Sequence, residues 1–153
     1  MSSYLHRSVA NNAIAMVRPS IEMTMKSGIA KRFAGHLRIS ALKDGEWRLV
    51  AYHDFGDRET WEHPYEEIAI AKETISKRTG KTSREVQTMH PELLVQGDTV
   101  YYGNAMTETI IVSFSGDEPY FDEMFSVWTL AAYLALVQHG LERQRERGLD
   151  FYA

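Results

Sequence analysis

The stretch "HLRISALKDGEWRLVAYHD", residues 36–54, constrains the fold more than any other. Leu37, Ile39 and Ala41 alternate with Arg38 and Ser40, a second run "WRLVAYHD" follows, and Asp44-Gly45 stands between them. Both turn residues tolerate a positive φ, so the pattern predicts a two-residue hairpin with antiparallel strands. A sheet that starts this way needs helices to cover it, and the rest of the chain carries helical periods.

Ser20 is placed to cap a helix running to about Ala34, with Ile21, Met25, Ile29 and Phe33 at four-residue intervals and Pro19 and Gly35 as brackets. A second helix follows Pro64. Glu66 and Glu67 complement its positive end, Ile68, Ala71 and Ile75 form its stripe, and Gly80 stops it. "TSREVQ" adds one or two helical turns after a Ser/Thr cap, and strands are expected at 93–95, 99–102 and 109–114. The last helix begins near Asp117-Glu118-Pro119 and runs to about His139. Its core, "MFSVWTLAAYLALV", is shorter than the roughly 20 residues a membrane span needs. A helix apolar nearly all round needs cover on more than one face, here a sheet and a second subunit. The order predicts an α+β domain over 20–140, a five-stranded antiparallel sheet flanked by helices, with an N-terminal extension (1–19) and a C-terminal tail (141–153).

The absence of cysteine excludes disulfides, thiolate metal sites and cysteine nucleophiles. Seventeen basic and twenty-one acidic residues give a formal charge of −4, and the basic residues are scattered, so nucleic acid is not expected as a partner. Neither is a membrane. The first twenty residues lack a secretory apolar region, which points to the cytoplasm.

Three stretches, "RISALKDGEWRLVAYHD", "EEIAIAKETISKRTGKTS" and "ETIIVSFSGDEPYFDEMFSVWTLAAYL", resemble in order and local pattern the GlcG-like haem-binding family, also called the haem-degrading domain family. The resemblance covers roughly residues 20–138. The turn before the last strands and the strand "TETIIVSFSG" lack the family's glycines. The resemblance implies a profilin-like fold, a homo-oligomer and, in some members, haem bound between subunits.

Candidate site residues follow from side-chain chemistry. His53, at a strand end beside Asp54, fits an iron ligand or a general base, or simply a polar strand end. His63, before Pro64, fits a metal ligand, an oxyanion donor or a helix cap. Lys72, which matches a lysine of the family, fits an anion holder, a desolvated base or a snorkelling surface residue. His90 fits a ligand or a turn, and Tyr65, Tyr101, Tyr102 and Trp61 supply aromatic surface for a flat cofactor, a core or an interface. The acids Asp54, Asp57, Glu59 and Glu62 lack calcium-loop spacing and read as a solvated loop. Three functions compete. The first is an oligomeric cofactor-binding protein that takes haem through His53 or His63. The second is a haem-independent enzyme of isomerase, cyclase or lyase type working by acid–base chemistry on a small organic substrate. The third is a purely structural oligomer.

Overall fold

The hairpin forms as its residues dictate: Asp44 and Gly45 take φ values of 53° and 78°, and Lys43 pairs with Glu46. The computed structural model describes residues 7–151. Its elements are α1 (Arg7–Lys26), β1 (Gly35–Lys43), β2 (Glu46–Phe55), α2 (Tyr65–Thr79), α3 (Ser83–Met89), β3 (Asn104–Met106), β4 (Ile110–Ser115) and α4 (Pro119–Glu146). The α+β class is as expected, but the antiparallel sheet has four strands, in the order β2-β1-β4-β3, rather than five.

The segments expected as strands at 93–95 and 99–102 do not join the sheet because side chains take up their backbone groups. Arg78 donates to the Leu93 carbonyl, Asp98 accepts from the Val95 N–H, and Gln87 donates to the carbonyls of Thr99 and Tyr101. Once satisfied in this way, the backbone has no need of a ladder.

The first helix also differs. It begins at Arg7 rather than Ser20, passes through Pro19, and buries Ala10, Ala13, Ile14, Val17, Ile21 and Met25. Within residues 7–19, Ala10, Ala13, Ile14 and Val17 therefore contribute to the core, and Ile29 and Phe33, expected on the helix's stripe, lie beyond its end and are exposed. At the other terminus α4 continues through Gly140 to Glu146, so the first part of the expected tail is helical.

Strand alternation gives the sheet two different buried faces. Leu37, Ile39, Ala41, Ile110, Val112 and Phe114 join α1 and α4 in an apolar core. Each large side chain fully buried there contributes roughly 1.5–3 kcal/mol. The opposite face carries His36, Arg38, Ser40, Ser113 and Ser115, all buried. It meets α2 through polar contacts, because Glu73 accepts from Arg38 Nε at 3.3 Å and also from the Ser40 hydroxyl. A β-bulge, at which Ile39 pairs with Ala51 and Ser40 with Leu49, leaves Val50 as the extra residue.

Candidate functional site

Strand β4 ends at Ser115, and the chain turns through Gly116 and Asp117 into α4. This turn packs closely: a Cβ on Gly116 would stand 2.3 Å from the Ala34 carbonyl oxygen. Between the turn and the start of α2 lies a cavity of about 170 Å³ lined by Lys31, Arg32, His63, Tyr65, Ile68, Tyr101, residues 115–119 and Asp122. It opens at the positive end of the longest helix, where the macrodipole favours negative charge.

Tyr65, in the first turn of α2, is only 3% exposed, yet its hydroxyl has no hydrogen-bond partner. Burial raises its pKa, and the charges acting on it are those of Arg32, Glu62, Asp122 and Asp117, three of which line the cavity. The phenol is thus a protonated, unpartnered donor buried behind the cavity lining. Arg32 lies with its guanidinium 5.9 Å from the centre of the Tyr65 ring and donates through Nη1 to the Gly116 carbonyl at 2.9 Å.

Asp122 forms the rear wall. Its Oδ2 accepts from Lys72 Nζ at 2.9 Å and its Oδ1 from the Asp117 N–H at 2.9 Å. Lys72 is fully buried and also donates to the Phe114 carbonyl at 2.6 Å. Burial pushes the Asp122 carboxyl up to about 6 and lowers the Lys72 ammonium, with the mutual attraction opposing both shifts. For each partner desolvation outweighs pairing, as is common for buried ion pairs.

The structure brings together His63, Tyr65 and Tyr101 in the lining and places Lys72 one contact behind it. Tyr102 lies outside the lining, and His90 sits in a loop 3.4 Å from Glu92. His53 is elsewhere altogether. It pairs with Leu37 and so faces α1, with its ring edge-on to Phe55 at 4.7 Å and the charges of Arg18 and Glu22 nearby. Burial lowers its pKa. Asp54, its neighbour in sequence, turns to the other face, where it bonds His36 at 2.7 Å and Arg58 at 2.9 Å. His53 and His63 therefore do not share a metal site, and among the described residues no group of three or more His, Cys, Asp or Glu side chains is placed to hold a metal ion.

This cavity lies within one chain and is smaller than haem, which the family resemblance places between subunits. Pockets that take drug-sized ligands run to roughly 300–1,000 Å³, and a tetrapyrrole is larger than many such ligands, whereas this space is about 170 Å³ with His63 as its one histidine. Its remaining side-chain donors are the Lys31 ammonium, the Arg32 guanidinium and hydroxyls.

Sequence reasoning did not nominate Asp122 or Arg32. Asp122 had a signal: with Ser126 and Thr129 it forms a stripe at helical spacing through an otherwise apolar run, and all three are buried. Arg32 had none, because its place depends on the close packing of two turns distant in sequence. Comparison with protein-family models, curated proteins and solved structures gives no match.

Proposed function

We propose that this chain is a haem-independent, small-molecule-binding protein that performs proton-transfer chemistry on a compact organic substrate in the cavity between α2 and α4. The observation that carries this reading is the Tyr65 hydroxyl, buried, protonated and without a partner beside a carboxyl raised to about 6. A buried polar group without a hydrogen bond costs roughly 1–3 kcal/mol, and a ligand oxygen would repay it. Tyr65 would donate to a carbonyl or enolate oxygen, Asp122 would exchange a proton near neutral pH, and His63 would stand at the mouth. An isomerase or lyase reaction uses such a pair. The GlcG-like resemblance and oligomeric assembly fit this reading, with the family's scaffold put to a smaller ligand.

The test pairs two titrations of the full chain. Hemin at micromolar concentration is expected to give no Soret band. An NMR screen of small oxygenated compounds is expected to shift the amides of Tyr65, Ser115 and Asp122, and Tyr65→Phe is expected to weaken the hits. A Soret band that His63→Ala diminishes would overturn the proposal in favour of haem binding.

A further inference from the structure

His36 lies on the buried polar face of the sheet, 1% exposed, and takes no part in the chemistry proposed above. Its Nδ1 stands 2.7 Å from Asp54 Oδ1. A carboxylate only accepts, so Nδ1 carries the proton and Nε2 presents a bare lone pair. That Nε2 is buried and has no hydrogen-bond partner. Asp54 extends the contact outward: its Oδ2 accepts from Arg58 Nη2 at 2.9 Å, and the same nitrogen donates to Glu66 Oε2 at 2.9 Å. The line His36, Asp54, Arg58, Glu66 thus ties β1 to the end of β2, to the connection 56–64 and to the first turn of α2. The last two carry His63, Tyr65 and Ile68 of the cavity lining.

We propose that His36 is a pH-sensitive latch: protonation at Nε2 releases residues 56–66 from the sheet and opens the cavity between α2 and α4 in mild acid. An imidazolium needs two acceptors, and the closed structure supplies one. The groups that face the ring are Asp54 and the stacked Tyr52 ring on β2, Arg38 on β1, Ser115 opposite on β4, and Glu66 on α2. Burial is the largest influence and lowers the His36 pKa from its ordinary 6.5, Arg38 adds to the effect, and Asp54 and Glu66 oppose it without cancelling it. Once residues 56–66 lift, Nε2 meets water and the ring regains an ordinary value. The open form therefore binds the proton more tightly than the closed form, and the balance moves toward it as pH falls below 6.5. Asp54 and Glu66 are themselves held below the usual carboxylate range, so they stay charged across this window. His63, in the same connection, is exposed and takes up a proton without any opening.

Hydrogen exchange of the full chain, corrected for the intrinsic pH dependence of the exchange chemistry, reads the latch. Protection of the amides of residues 58–68 is expected to fall severalfold between about pH 7.5 and about pH 5.5, one proton allowing at most about tenfold per pH unit. Amides of α1, on the other face of the sheet, are expected to keep theirs. His36→Asn sets a neutral amide N–H near the place of Nδ1 and removes the titration, so its protection over 58–68 is expected not to change with pH. The His36 imidazole resonances of the unsubstituted protein supply a check that needs no variant: they are expected to show the Nδ1–H form at neutral pH and a midpoint below 6.5. A midpoint at or above 6.5, protection that holds or rises in acid, an equal loss in α1, or a pH-dependent loss that persists in His36→Asn would overturn the latch.

Discussion

Lys72 and Asp122 form a buried pair for which burial is the larger force on each partner. Asp122 has a folded pKa of about 6 against an ordinary value of 3.8, so between these values the folded state holds a proton that the unfolded chain has released. The resulting contribution to stability is fully present below about pH 4 and is lost as pH rises through about 6. Asp54, Glu66 and Asp98 are shifted the opposite way, because hydrogen bonds from His36 and Arg58, from Arg58, and from Arg78 and the Val95 N–H outweigh the burial that would raise them, so the slope for the whole protein does not isolate Asp122. A variant does. Lys72→Met leaves the Asp122 carboxylate buried without its cation, and its cost is expected to be small at pH 5 and to grow as pH rises above about 6, towards the roughly 3–5 kcal/mol of a broken buried pair. Urea unfolding at both pH values checks this, and a cost independent of pH would refute it. Replacing both partners, with Lys72→Met and Asp122→Leu, is expected to be far milder than the sum of the single changes.

Short connections between elements set the site. Gly103, just before β3, has φ +141°, and a Cβ there would lie 2.5 Å from Asp122 Cβ and 3.0 Å from Lys72 Nζ. Gly103→Ala is therefore expected to cost about 2 kcal/mol or more and to separate α2 from α4 at the rear wall. Chemical denaturation gives the first effect, and loss of ligand-induced shifts at Tyr65 the second. Asn104, next in sequence, fastens the same junction: it accepts from the Ser83 N–H and hydroxyl and donates to the Lys72 carbonyl and the Ser76 hydroxyl. These long-range bonds mark the limit of what could be read in advance. The hairpin, α2, α3, β4 and the start of α4 were legible because each is written in local turn chemistry and periodicity. Residues 93–102 misled because their alternation is a strand's while their hydrogen-bond partners, Arg78 and Gln87, come from helices. Pro19 misled because a proline inside a helix reads as a boundary, although here the buried stripe runs through it. Of the site, Tyr65, His63 and Tyr101 were found through chemistry alone, and Asp122 and Arg32 needed the fold.

At the scale of the whole molecule, α4 is long and apolar enough by composition to cross a membrane, yet only 22% of its most apolar stretch is buried within this chain. Val127 and Leu134 are 49% and 42% exposed on the same helix. A surface of this kind is the usual seat of association, and the homo-oligomer proposed above gives it a partner. Light scattering is expected to show a mass above the 17.5 kDa of one chain, and Val127→Glu with Leu134→Glu is expected to lower it; a monomeric wild type would contradict the assembly. The two faces of the sheet, one lined with hydrocarbon and the other with hydroxyls, guanidinium and carboxylate, also differ in how they come apart. Lifting α1 and α4 exposes oil to water, and nothing in the solvent compensates. Lifting α2 uncovers Ala69, Ile75 and Ile111 as well, but it also exchanges several internal hydrogen bonds for hydration, so the α2 layer is the side on which the molecule breathes more readily. The cavity lies along that seam. Entry of a ligand would then need only a brief loosening of α2, and amide exchange in α2 should be faster than in α1 and should slow when the cavity is filled.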